Sequence, residues 1–208
     1  MRPGLLLAIA VVLVAPASAA PTRVVAGQRV PVLDAEPDFD EGTFIAPAGT
    51  PLAQKYGASL LSTTLDDGER RDLKVDALPP GGLVVVRIHR DRSGKRYLYK
   101  PCDLGYHQRT SITDTHVWML ATEPLVVPIA HKVKRGRNTT IELDTTGLSP
   151  MVASKLRLRS TSPAGHFELA VGDGEFSELV ATPAAAAKLD VVVRVCKKAK
   201  VAELDFTK

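Results

Sequence analysis

The chain has 208 residues, 45% hydrophobic and 24% charged, with a formal net charge of +4. That apolar share is enough for a packed core and excludes a chain that is disordered throughout. The charge surplus is too small by itself to announce a polyanion binder, so nucleic acid is not an expected partner.

Residues 1–20 read as a signal peptide. Arg2 supplies the positive start, Leu5 to Val14 is an unbroken apolar run, and Ala17-Ser18-Ala19-Ala20 offers small residues for cleavage near Ala20. The run is about ten residues long, against the roughly twenty that a membrane-spanning helix needs. No later stretch is long and apolar enough to span. The expectation is a secreted or periplasmic chain with no transmembrane segment after cleavage.

Thr22 to Leu33 reads as extended chain bent at Gly27, and an acidic loop follows from Asp34 to Gly42. Leu52 to Leu61 has room for a helical turn, and Ser59 to Leu65 reads as a short strand broken by Asp66-Asp67-Gly68. Leu78-Pro79-Pro80-Gly81-Gly82 is strong punctuation. It divides an acidic N-terminal β region, 21–80 with net charge −4, from a main β domain, 81–208 with net charge +7. The first of these either stands alone or completes the sheets of the second.

Leu83 to Arg90 and Lys95 to Lys100 flank the turn Asp91-Arg92-Ser93-Gly94 and read as a hairpin. Further strands are expected over Thr115 to Ala121, Leu125 to Val133 and Thr139 to Asp144, the last two joined through Arg135-Gly136-Arg137-Asn138. In Lys155-Leu156-Arg157-Leu158-Arg159 the leucines share one face and the cations the other, and His166 to Val171 alternates in the same way. Setting Leu158 opposite Phe167 also sets Arg157 opposite Glu168, which satisfies core and charge together. Ala181 to Lys188 is a short helix or connector, and Leu189 to Cys196 and Lys200 to Phe206 close the chain as strands. Short strands at this spacing, with connections too short for crossover helices, predict an all-β fold. The expected form is an antiparallel β-sandwich or jelly roll with at most one or two short helices.

Cys102 and Cys196 are the only cysteines. In an oxidising compartment such a pair forms a disulfide. Closing a loop of about 94 residues would contribute about 4 to 5 kcal/mol in the chain-entropy view. No hydrolase nucleophile motif, phosphate loop, dinucleotide fingerprint or zinc-protease motif occurs, so no residue is named catalytic, and no cofactor or metal is expected. The segment richest in reactive side chains holds Asp103, Tyr106, His107, Asp114 and His116. It reads first as a polar surface loop, with a hydrolase or metal-dependent enzyme centred on His107 and His116 as the alternative. Five carboxylates, Asp34, Glu36, Asp38, Asp40 and Glu41, crowd the acidic loop without the glycine and closing glutamate of a calcium loop.

The basic residues are more informative. Lys132, Lys134, Arg135 and Arg137 surround one turn, and Arg92, Lys95 and Arg96 surround another, with Arg90 beside them. Lys197, Lys198 and Lys200 add a third group. Gathered on one rim, they would attract a glycan with sulfate, phosphate or uronate groups, or another anionic envelope polymer. Cationic turns also keep sheet edges soluble, which is the structural alternative. Tyr97 and Tyr99 share a strand face and, with Trp118, are the candidate platforms for stacking on sugars. Asn138-Thr139-Thr140 is a glycosylation sequon that matters only in a eukaryotic host. The leading reading is an exported β-sandwich binding protein without catalytic function, recognising a glycan, an anionic polymer or a protein partner. An envelope assembly subunit that pairs through its edge strands is the remaining alternative.

Overall fold

The computed structural model describes residues 22–25, 28–33, 40–61, 82–101, 109–120, 125–150 and 152–196. Residues 1–20, read above as a signal peptide, most of the acidic loop, the 78–81 punctuation, Cys102, Asp103, Tyr106, His107 and the basic residues 197, 198 and 200 lie outside them.

The described chain begins with β1 (Thr22–Val25), β2 (Gln28–Leu33), β3 (Asp40–Ala46) and helix α1 (Pro51–Leu61). Then come β4 (Leu83–Arg90), β5 (Arg96–Lys100), β6 (Arg109–Ile112), β7 (His116–Leu120), β8 (Leu125–Arg135) and β9 (Asn138–Leu143). The last elements are β10 (Lys155–Thr161), β11 (His166–Val171), β12 (Glu178–Ala181), α2 (Pro183–Ala186) and β13 (Asp190–Cys196). The fold is all-β. The finer expectation of two packed sheets is not confirmed. Strands β4, β12, β11, β10, β9, β8, β7 and β6 pair in that order, and β6 pairs back onto β4, which closes an antiparallel barrel of eight strands. Strand spacing cannot tell a closed sheet from two open ones, because both alternate inward and outward side chains with a period of two.

β4 joins the barrel to a second sheet. Its first half pairs with β6 (Val85 opposite Thr110), its middle with β12 (Val86 opposite Ala181), and its end with β5 (His89 opposite Tyr97). From β5 the sheet continues through β13 and β3 to the β2–β1 hairpin. β13 runs parallel to β5, Val191 beside Leu98, a pairing that short-connection reasoning disfavoured. The same β13 lies antiparallel along β3, so residues 40–46 share a sheet with the last of the described strands.

The run Leu83-Val84-Val85-Val86 follows from this position. Val84, Val85 and Val86 are all buried, Val85 inside the barrel and Val86 in the core beneath the helices. A strand covered on both faces is apolar without interruption, not alternating. Inside the barrel, Ile112, Val117, Val127, Ile141, Leu156 and Leu158 complete a filled core, as expected of a barrel this small.

α1 forms because Thr50 caps it, accepting from the Ala53 N–H at 3.2 Å, and Pro51 takes the first helical position. Leu52, Ala53, Tyr56, Gly57 and Leu60 make one face, laid on β13 and β5. The helix therefore claims Ser59 to Leu61, where a strand was expected. α2 begins in the same way, with Thr182 accepting from the Ala185 N–H and Pro183 behind it, and it buries Ala185 and Ala186.

The β10–β11 hairpin forms with a different register. Leu158 stands opposite Leu169, Ser160 opposite Phe167, and Arg159, not Arg157, opposite Glu168. The strands pair as far as Thr161 and His166, which leaves a four-residue turn, Ser162 to Gly165, instead of the six assumed. A slip of two residues keeps every side chain on its face, so the face assignment survives while the partners change. Arg159 Nε meets Glu168 Oε2 at 2.6 Å, and Arg157 instead donates to the Gly174 carbonyl and lies over the Phe176 ring.

Candidate functional site

The β10–β11 turn is where the two basic hairpins meet. On one side the Ser160 N–H donates to the Arg137 carbonyl at 2.9 Å, which ties the β8–β9 turn to the end of β10. On the other, Arg96 Nη1 donates to the Ser162 carbonyl at 3.0 Å, which ties in the β4–β5 hairpin. Ser160 and Ser162 are two residues apart, at most about 7 Å along the chain. Two basic turns separated by some forty residues of sequence thus become neighbours. The turn itself is locked onto α2: Gly165 has φ +83°, and a Cβ there would stand 2.8 Å from Thr182 Oγ1 and 2.9 Å from Ala185 Cβ. Only glycine fits both conditions.

The cations differ in what they already hold. Lys134, Arg135 and Arg137 are exposed, and their side chains make no hydrogen bond or ion pair with any described residue. Arg92, at the tip of the β4–β5 turn, is in the same state. Lys132 is engaged: a one-residue bulge in β8 between Ile129 and His131 precedes it, and its Nζ bridges to Asp114 Oδ1 at 3.0 Å and to the Thr113 carbonyl.

Lys95 is engaged too. Its Nζ lies 2.6 Å from Asp190 Oδ2 and over the Tyr97 ring, and the bond to Asp190 raises its pKa. Burial alone would lift the Asp190 carboxyl, but hydrogen bonds from Lys95 and from the Ala48 N–H outweigh it and hold the group below the ordinary carboxylate range. Asp91 organises the turn by accepting from Ser93 Oγ, the Lys95 N–H and Tyr97 Oη, and the Ser93 bond leads in lowering its pKa.

The expected aromatic platforms are not exposed. Tyr97 and Tyr99 share a face, but that face is buried with Val192, and Tyr99 meets His89 edge to face at 5.4 Å. β13, beside β5 in parallel register, adds Val192 to that face. Trp118 is half-buried on the barrel's outer face beside Ser111 and Val126. No protein-family model, curated protein or solved structure matches this chain. The site is therefore argued from its geometry alone.

The enzyme alternative has His107 and His116 converge with Asp103 or Asp114, and of these His107 and Asp103 lie outside the described residues. Asp114 bridges to Lys132, and His116 Nδ1 meets Thr115 Oγ1 at 2.9 Å in a turn capped by Thr113. Among the described residues no three His, Cys, Asp or Glu side chains are grouped as a metal site. Also among the described residues, no helix is long and apolar enough to cross a membrane.

Between the β4–β5 hairpin, the β10–β11 turn and α2 lies a cleft of about 640 Å³, lined by Lys95, Arg96, His166, Lys188 and Asp190 among others. Lys188 and His166 carry no sequence signal of a site. One follows a short alanine helix and the other opens a strand, and only the packing of α2 on the turn brings them together. The sequence-derived Lys95 and Arg96 border this cleft, whereas Lys134, Arg135 and Arg137 stand outside it on the adjoining hairpin.

Proposed function

We propose that this is an exported binding protein that takes up an anionic polymer, a glycan bearing sulfate, phosphate or uronate groups, across its basic hairpin tips. The observation that supports this is the meeting of the β8–β9 and β4–β5 turns at the β10–β11 turn, where Lys134, Arg135, Arg137 and Arg92 have no side-chain partner among the described residues. Cations that only blunted sheet edges would need no common location. Grouped charges raise the local concentration of a polyanion and make its binding salt-dependent. Export through the 1–20 signal, with cleavage near Ala20, belongs to the same proposal.

So does a Cys102–Cys196 disulfide. Cys102 is outside the described residues, but Lys100, two residues before it, pairs with Val193, three residues before Cys196. Intact mass of the exported, unreduced protein reads this directly: loss of two hydrogens supports the bond, and two free thiols refute it.

The test of the binding role is a panel of anionic and neutral glycan polymers, measured at low and high salt. Salt-sensitive binding of the anionic members is expected. Binding confined to neutral polymers, or no binding at all, would overturn the proposal.

A further inference from the structure

The β8–β9 hairpin carries an open strand edge. The pairing of β8 with β7 ends at Pro128, with one further bond from the Ile129 N–H to the Thr115 carbonyl. Past the bulge, His131 to Arg135 pairs with β9 on one side and, among the described strands, with none on the other. The direction of the backbone groups follows from the next strands. The Arg137 carbonyl accepts from the Ser160 N–H at the end of β10, so Asn138 turns its own groups the other way, toward its partner Arg135. Alternation then turns the N–H and C=O of Val133 to β9, and those of Lys132 and Lys134 to the open side.

The side chains decide which strand can fill this edge. Lys132 and Lys134 share one strand face, Arg135 lies on the other, and all three are exposed. Lys132 is bridged to Asp114, whereas Lys134 has no side-chain partner among the described residues. A second copy paired edge to edge would set these cations against one another, and like charges directly opposite are destabilising. Lysine on an edge is a usual guard against such self-pairing, and proline, another guard, is missing from His131 to Arg135. The edge is thus closed to copies of this chain and to basic strands, but not to an acidic one.

We infer that the open edge of β8 takes up an extended acidic peptide segment as an added strand. Its main chain bonds to the backbone of Lys132 and Lys134, and a carboxylate comes opposite the Lys134 ammonium. This goes beyond the glycan reading, since a glycan has no strand backbone with which to fill an edge.

The test titrates the full exported protein with an end-blocked peptide that alternates glutamate and threonine, and with its counterpart carrying lysine for glutamate. The acidic peptide should bind about tenfold or more tightly than the basic one at low salt. At saturation, amide hydrogen exchange followed by NMR should slow about tenfold or more at Lys132 and Lys134. Val133 and Arg135, already bonded to β9, should change little. Lys134→Glu, at an exposed position, should weaken the acidic peptide about fivefold or more and admit the basic one. Circular dichroism confirms that the variant is folded. Absence of acidic-peptide binding, equal binding of the two peptides, binding without alternating protection, or an unchanged preference in Lys134→Glu would each overturn the inference. The polymer panel tests the rim separately. Peptide failure beside polymer binding sinks the edge alone, and polymer failure beside peptide pairing sinks the rim alone.

Discussion

The two basic hairpins look alike in sequence, each a turn ringed by three or four cations, yet they stand in opposite states. At β4–β5, Lys95 is held by Asp190 and Arg96 by the Ser162 carbonyl, so the charges fasten the hairpin to β13 and to the neighbouring turn. At β8–β9, Lys132 alone is fastened among the described residues, and Lys134, Arg135 and Arg137 are exposed. The difference arises from position. β4–β5 is flanked by β13 and the β10–β11 turn, which supply acceptors to its cations, whereas the outer part of β8 passes beyond its β7 pairing and, among the described strands, is paired with β9 alone. A cation count therefore does not identify a binding surface; what matters is which cations the fold has left without acceptors.

Breaking the turn that both hairpins share should have the largest effect. Gly165→Ala combines a left-handed backbone conformation with two contacts under 3 Å, and should destabilise the protein by about 2–4 kcal/mol. Urea denaturation measures this, and a loss below about 1 kcal/mol would mean that the turn yields cheaply.

Reversing Lys134, Arg135 and Arg137 together should lower polyanion affinity tenfold or more at low salt, while stability stays within about 0.5 kcal/mol, as for exposed side chains in general. A large drop in stability instead would place these residues with the structural cations of the other hairpin.

Lys95→Gln should show the converse, a stability loss of about 1 kcal/mol or less, since Lys95 is half in solvent. Its pH dependence is the sharper signature. The depressed Asp190 pKa contributes stability that is present above the unfolded carboxyl value near 3.8 and lost as pH falls through the lower folded one. The raised Lys95 pKa contributes stability that is present below 10.5 and lost as pH rises through the higher folded value. The difference between wild type and variant should thus be flat at neutral pH and shrink at both extremes. A difference that peaks in acid would contradict the ion pair.

The smallest effect is the control. Gly57→Ala on α1 meets Val191 and Leu98 only at ordinary contact distances of 3.6 and 3.8 Å. It should stabilise the protein by about 0.5–1 kcal/mol, read as a higher melting temperature, with ligand binding unchanged.

Much of the strand content was legible. Alternation placed β4, β5, β8, β9, β10 and β11 within a few residues of their bounds, because one buried face imposes a period of two on the side chains. β6, with the sequence Arg-Thr-Ser-Ile, escaped because all four residues are buried and only the isoleucine is apolar. The candidate site was legible in half. The cations of both hairpins could be named in advance, but not which of them are held, and not His166, Lys188 or Asp190.

By itself the sequence determined what depends on neighbours along the chain: most of the strands, the faces of each hairpin, and the charge of each turn. Tertiary structure alone decided what depends on distant residues. It closed β6 onto β4 and made a barrel, laid β13 parallel beside β5, and slipped the β10–β11 register by two. The physical reason is common to all three. A period of two tells a side chain which face it occupies, but every strand that satisfies the period is an equally good partner until packing and backbone hydrogen bonds choose one.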